Sequence, residues 1–179
     1  MDNREIWMRQ TKLIGLDGEP LVLYHSTRAE THFTEFEPSV SGAQGPGIYM
    51  ADAPGDYSGR VMRLNVRMLN PFFFYPSDES LESEINGELI EQVLPADVAL
   101  MVMERIDREG YDSYGTEVQQ ALKAQGHDGI VMIYPFGEQK LPDQPGAAIV
   151  VAFDSSQILI LPEIEHMLAP AMLDDGPTL

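Results

Sequence analysis

The chain has 179 residues, 44% hydrophobic and 22% charged, a composition that suits one soluble globular domain spanning residues 1–179. It contains no cysteine, which excludes a disulfide framework and a thiolate metal site and fits a reducing cytoplasm. Eleven Lys plus Arg against 29 Asp plus Glu give a formal charge of -18, a balance that opposes non-specific binding to nucleic acid or anionic membranes, where phosphate attraction needs clustered cations. Met1-Asp2-Asn3-Arg4-Glu5 lacks the basic-then-apolar layout of a signal peptide. The apolar run Pro71-Phe72-Phe73-Phe74-Tyr75-Pro76 falls far short of the roughly 18 residues that span a bilayer. The expected molecule is soluble and cytoplasmic.

In chain order, residues 2–14 predict a short amphipathic helix with Ile6, Trp7, Gln10 and Leu13 on one side. Asp17-Gly18-Glu19-Pro20 is a turn into a β-type run, Leu21-Val22-Leu23-Tyr24-His25. Residues 29–47 carry little regular signal, although Phe33 and Phe36 can pin the loop to the core. Gly42, Gly45, Pro46 and Gly47 then lead into the strand Ile48-Tyr49-Met50-Ala51. Asp52-Ala53-Pro54 reads as a helix start, placing Tyr57 on a short helix. Alternation over Val61–Val66 predicts a half-buried strand, closed by Asn70-Pro71 and followed by a second apolar stretch from Phe72 to Tyr75.

Between 77 and 109, Leu81, Ile85, Leu89 and Val93 recur every four residues, as do Val98, Val102 and Ile106. Two amphipathic helices separated by Pro95 follow from that spacing. A third runs from Thr116 to Ala124 and ends at Gly126. Gly129–Tyr134 and Ala148–Phe153 read as buried strands joined by the loop 135–147, Gln157–Ile160 as a last short strand, and the chain from Pro162 as a loosely held tail. Residues 78–117 hold 12 acidic residues against Arg105 and Arg108. That excess is a solvated helical face, a docking surface for a basic partner, or a mimic of nucleic-acid charge.

The order Tyr24-His25-Ser26-Thr27, Gly47-Ile48-Tyr49-Met50, a strand ending in Asn70-Pro71, Gly126-His127-Asp128-Gly129-Ile130 and Val150-Val151-Ala152-Phe153-Asp154-Ser155-Ser156-Gln157-Ile158 resembles a known family. It is similar to the ADP-ribosyltransferase-like domains of the His–Tyr–Glu type found in phage and mobile-element proteins, whose signatures are YHGT, GIYF, LNxxNP, GYDGI and VVFDPxQI. The likeness spans residues 21–161. It implies an α+β fold with a split, mostly antiparallel β core and surrounding helices, NAD as substrate, and no metal.

The resemblance also implies roles. Cleaving the nicotinamide–ribose bond of NAD requires a grip on the ribose hydroxyls, a flat partner for the nicotinamide and negative charge near the developing cation. His25 would hold ribose hydroxyls through its two distinct ring nitrogens; the plainer role for it is to cap backbone groups at a strand end. Tyr49 would stack on the nicotinamide, with Gly47 allowing close backbone approach, or be a core tyrosine. Tyr57 would close the other face of the slot. Ser26 stands where the family has glycine and Thr27 matches it, both beside the carboxamide, while Arg28 would meet the pyrophosphate by forked hydrogen bonds. Asn65, Asn70, Pro71 and Asp128 read as structural.

One expected group is missing. The family places an acid or glutamine at the start of the strand before VVFD, and this chain has Gly146-Ala147-Ala148-Ile149 there. Asp112, Glu117, Glu138 and Asp143 are the candidate replacements, with Glu138, Gln139 and Gln144 as acceptor-side candidates. Two readings stay open. One is a mono-ADP-ribosyltransferase acting on a host protein. The other is a catalytically silent domain whose acidic surface over 78–117 blocks a basic host site. Four histidines without HExxH or His-x-His spacing leave zinc unsupported, and no P-loop, GxGxxG or serine-hydrolase elbow occurs.

Overall fold

A computed structural model of the chain describes residues 3–27, 35–54, 60–77, 82–110 and 113–162. Seven strands pair into one sheet: β1 (Leu23–Thr27), β2 (Ile48–Ala51), β3 (Arg60–Val66), β4 (Phe72–Phe74), β5 (Gly129–Tyr134), β6 (Ala147–Ala152) and β7 (Ile158–Ile160). Their spatial order is β4-β5-β6-β2-β1-β3-β7, antiparallel except for β4 beside β5. Pairing is extensive within each half. β5 matches β6 from Gly129↔Ala152 to Tyr134↔Ala147, and β1 matches β3 from Leu23↔Leu64 to Thr27↔Arg60. Between the halves, β1 meets β2 at the one pair Tyr24↔Ala51. The sheet is therefore split at its middle, as the expected α+β core requires.

Both faces of the central strands are covered, which explains why β5 and β6 read as continuous apolar runs rather than alternating ones. On one face, Leu23, Ile48, Met50, Leu64 and Val150 pack under Leu13, Leu21, Phe36 and Leu141 from the connecting segments. On the other, Phe74, Ile130, Met132 and Val151 pack under helices α2 (Glu82–Val93), α3 (Ala96–Glu109) and α4 (Glu117–Ala124). Leu89, Ile90, Val102, Val118 and Leu122 supply the helical side. The periodicity that predicted these helices comes from this buried stripe. No helix among the described residues is long and apolar enough to cross a membrane.

Three local expectations change. The first helix, α1, covers only Asn3–Met8 rather than 2–14. Beyond it Thr11 is buried, donates through Oγ1 to the Val66 carbonyl (2.8 Å) and accepts from the Met68 N–H (3.0 Å), while Lys12 N–H donates to the Met68 carbonyl (2.6 Å). Those groups are spent on the end of β3, so the helical ladder stops, and Ile6 is left exposed. The first strand is shifted to Leu23–Thr27 from 21–25, because Leu21 N–H donates instead to the Leu13 carbonyl (2.8 Å). Gln157 belongs to a 3₁₀ turn, Ser155–Gln157, not to the last strand. Phe33 and the tail from 163 lie outside the described residues, whereas Phe36 does pin its loop. Asn65 is structural, as expected: its Nδ2 donates to the carbonyls of Pro20 and Leu21. Asp128 likewise caps the turn before β4 by accepting the Leu69 and Asn70 N–H groups.

Asp52 does not open a helix within the described residues. Its carboxylate is buried, accepts the Ala148 N–H (2.7 Å), and its own N–H donates to the Ala148 carbonyl (3.0 Å). Burial pushes this carboxyl above the ordinary carboxylate range, offset in part by the Ala148 bond and by Lys140. The folded state thus holds the proton more tightly than the unfolded chain, and Asp52 subtracts from stability as pH rises through its folded-state value. Asp52→Asn keeps an acceptor for Ala148 and should flatten that part of the pH–stability profile. Asp52→Ala strands a buried N–H and should cost about 1–3 kcal/mol in urea unfolding; equal stability of the two variants would rule out this role.

Candidate active site

The site grows from the interruption between β1 and β2. After Tyr24↔Ala51 the register stops, and a side chain takes over the bridging. His25 Nδ1 lies 2.7 Å from the Tyr49 carbonyl oxygen. A carbonyl can only accept, so Nδ1 carries the hydrogen. In the neutral ring Nε2 is then a lone-pair acceptor, the form needed to receive a hydrogen bond from a sugar hydroxyl. Phe36, part of the first core, stands edge-on to the imidazole with ring centroids 5.0 Å apart. Ser26 and Thr27 continue β1 beyond His25 and are partly exposed.

Tyr49 approaches from the other face. Alternation along the strands puts His25 on the side of Leu23 and Tyr49 on the helical side with Ile149. His25 and Tyr49 thus stand on opposite faces of the sheet at its split. The Tyr49 hydroxyl is already engaged, accepting the Gln44 N–H (3.0 Å) and donating to the Gly45 carbonyl. Burial pushes the phenol up to about 12, with the Gln44 bond opposing the shift. Tyr49 is thus a neutral aromatic surface at physiological pH and not a base.

Two glycines make this possible by leaving space. A Cβ on Gly42 would lie 2.3 Å from the Tyr49 hydroxyl oxygen, and one on Gly47 would lie 2.4 Å from Val151 Cγ1. Gly47 is further tied to Ser39, whose N–H donates to its carbonyl (2.9 Å) and whose carbonyl accepts its N–H (3.1 Å). The expected freedom at Gly47 is used for packing against β6.

Among the described candidate acids, Glu117 is on α4 while Glu138 and Asp143 share the loop 135–146. Glu117, at the start of α4, forms a two-pronged pair with Arg105 (2.8 and 2.9 Å), and Arg105 also donates to the carbonyls of Ser113 and Tyr114. That guanidinium holds the Glu117 carboxyl below its usual range, so it is a structural anion. Glu138 is exposed on the loop 135–146 and bonds to Lys140. On the same loop Gln144 accepts the Tyr75 hydroxyl (2.6 Å) and Gln139 donates to the Leu141 carbonyl (2.9 Å). Asp112, Arg28 and Tyr57 lie outside the described residues. At the start of β6, Ile149 packs on the helical side with Tyr49, while Ala148 faces the first core. The position where an acid was expected beside Tyr49 is filled by aliphatic carbon.

Sequence reasoning missed three buried polar residues here: Gln44, Asp52 and Asn86. For Asn86 a signal existed, since it falls three residues before Leu89 on the inward stripe of α2. For Gln44 and Asp52 no local pattern announced burial. The His25 arrangement is checked by nitrogen-15 imidazole spectra at neutral pH. Nδ1 should carry the proton in the neutral ring, and a signal from protonated Nε2 with bare Nδ1 would overturn the bridge.

The break between β1 and β2 thus brings together an imidazole with an acceptor nitrogen and an aromatic ring anchored by its hydroxyl. The sequence model of the family described as ADP-ribosyltransferase in polyvalent proteins matches residues 16–160. Neither a curated protein nor a solved structure shows significant similarity. The site's donor set fits the NAD that this family uses as substrate. With the match covering most of its length and every described strand, the chain belongs to the ADP-ribosyltransferase family of polyvalent proteins.

Proposed function

We propose that this protein is a mono-ADP-ribosyltransferase that moves ADP-ribose from NAD to a host protein, encoded by a phage or mobile element and acting in the host cytoplasm. The observation that carries the reading is the His25–Tyr49 bridge across the split. It replaces strand pairing with an opening flanked by an imidazole acceptor and an aromatic face. His25 Nε2 accepts from a ribose hydroxyl. Tyr49 presents its ring to the cationic nicotinamide and gains about 0.5–2 kcal/mol from cation–π attraction. Ser26 and Thr27 line the strand beside the carboxamide, with Arg28 and Tyr57 completing the grip on pyrophosphate and ring.

In the reaction the bond from ribose C1 to the nicotinamide nitrogen breaks, and its electron pair leaves with nicotinamide. An acceptor nucleophile forms the new bond to C1 and gives up its proton. Orientation in the slot supplies much of the rate when no carboxylate stands at Ile149. Asp112, Glu138 and Asp143 are the remaining side chains for assisting charge, and Glu138, Gln139 and Gln144 lie on the acceptor-side loop. Glu117 is committed to Arg105 and takes no part.

A second reading has its own observation. Ala147, Ala148 and Ile149 leave the usual acid position empty of charge, and α3 exposes Leu100 and Met101. A silent domain would use this acidic helical layer to cover a basic host surface.

Labelled NAD with host lysate separates the two. The transferase should label a protein and release nicotinamide. His25→Ala should lower kcat/KM about tenfold or more, and Tyr49→Ala roughly 2–30-fold. No label and no nicotinamide would sink the transferase reading. Partner binding that weakens with salt and survives His25→Ala would establish the other.

A further inference from the structure

Gln44 and Asn86 are both almost fully buried, at 7% and 3% exposure, between the glycine-rich loop and α2. Buried amides are costly unless paired, so such a pair inside an apolar layer calls for a reason. The Gln44 Nε2 donates to Asn86 Oδ1 at 2.8 Å. The same residue's backbone N–H donates to the Tyr49 hydroxyl at 3.0 Å, and the next carbonyl, that of Gly45, accepts from it. One residue thus holds α2 with its side chain and Tyr49 with its backbone.

The loop is braced at neighbouring points. Gln119 Nε2 on α4 donates to the Pro46 carbonyl (3.0 Å). Tyr114 lies so close to Gly45 that an added Cβ there would come 3.1 Å from its ring. These contacts hold the loop on the helical layer. The Gln44–Asn86 bond joins α2 to the residue whose own backbone N–H bonds the phenol.

We propose that Gln44 and Asn86 are positioning residues that lock the loop carrying the Tyr49 hydroxyl contacts, and so hold the Tyr49 ring at the angle that stacks the nicotinamide of NAD. The role rests on the transferase reading for its ligand, while the mechanical link to Tyr49 does not. Loss of the amide bond removes the brace that acts through Gln44 while that on Pro46 remains, and so loosens the contact between the Gln44 N–H and the phenol. The cost therefore falls on ground-state binding of NAD and much less on the chemical step.

The test uses the full chain with Asn86→Leu, which removes the acceptor at similar volume, Gln44→Met, which removes the donor, and Asn86→Asp, which keeps an acceptor. Proton exchange at the Tyr49 hydroxyl is followed by NMR, assigned by its absence in Tyr49→Phe, alongside KM and kcat for NAD. In the first two variants the hydroxyl proton should exchange about tenfold faster and KM should rise by a similar factor with kcat little changed. Asn86→Asp should return both toward wild type. Unchanged exchange in a folded variant, judged by thermal unfolding, overturns the link; so does faster exchange with unaltered KM. If Asn86→Leu fails to fold, Gln44→Met decides alone. If the wild type neither binds nor consumes NAD, the transferase reading fails and the exchange rates by themselves uphold or overturn the link.

Discussion

Between β1 and β2 the sheet is joined by one residue pair, Tyr24↔Ala51, and by the hydrogen bond from His25 Nδ1 to the Tyr49 carbonyl. Each half is secured elsewhere: β1 by β3 and β7 beyond it, β2 by β6 and β5. The first core crosses the split, with Leu23 and Leu64 from one half packed together with Ile48, Met50 and Val150 from the other, so side-chain packing holds the halves together where ladder bonds are few. Backbone groups left outside a ladder need partners. Along the split, the His25 imidazole serves one of them, the Tyr49 carbonyl. The same bond selects the imidazole tautomer. A structural need, satisfying a carbonyl, thus sets the chemical form of the ring that faces the opening.

Tyr49 illustrates how polar contacts aim an aromatic ring. Its hydroxyl is held on both sides by a loop that turns at Gly42, Gly45 and Gly47, and the close packing at Gly42 and Gly47 leaves no room for a side chain. The loop is in turn fastened to two helices through Asn86 and Gln119. The helical layer is consequently a brace for Tyr49 as well as a cover for the second core. Arg105 extends this brace by gathering Glu117 and the carbonyls of Ser113 and Tyr114. In a segment with twelve acids and two arginines, one of those arginines is spent inside the fold.

Charge is distributed unevenly in consequence. Acidic side chains of α3 such as Asp97, Glu104 and Asp107 stay on the solvent side, whereas the buried carboxylate is Asp52, pinned to the start of β6. Burial there favours the protonated form, and the bond from Ala148 only partly offsets it. The position next to Tyr49 on β6 is apolar instead. Strand β6 thus brings no charged side chain to the neighbourhood of Tyr49.

Much of this was legible in the chain. Strand identities, the three helices over 82–124 and the placing of His25 and Tyr49 at adjoining strands followed from apolar periodicity and motif order, because burial on a stripe or face imposes a repeat on the residues themselves. Asn65 and Asp128 read correctly as structural, although the backbone groups they satisfy, at Pro20 and Leu21 and at Leu69 and Asn70, lie 44 to 59 residues away along the chain. What the chain did not announce depended on contacts between distant residues. The early end of α1 is decided by Thr11 meeting Val66 and Met68 some 55 residues away. Glu117 looked like a free acid until Arg105 was brought across from the preceding helix, and Asp52 looked like a helix cap until Ala148 claimed its carboxylate. Sequence by itself determined which segments are strands and helices and which family the chain resembles. Only the tertiary structure decided which polar groups are spent on holding the fold and which remain to act, because a hydrogen-bond partner far along the chain leaves no local trace in the residue it occupies.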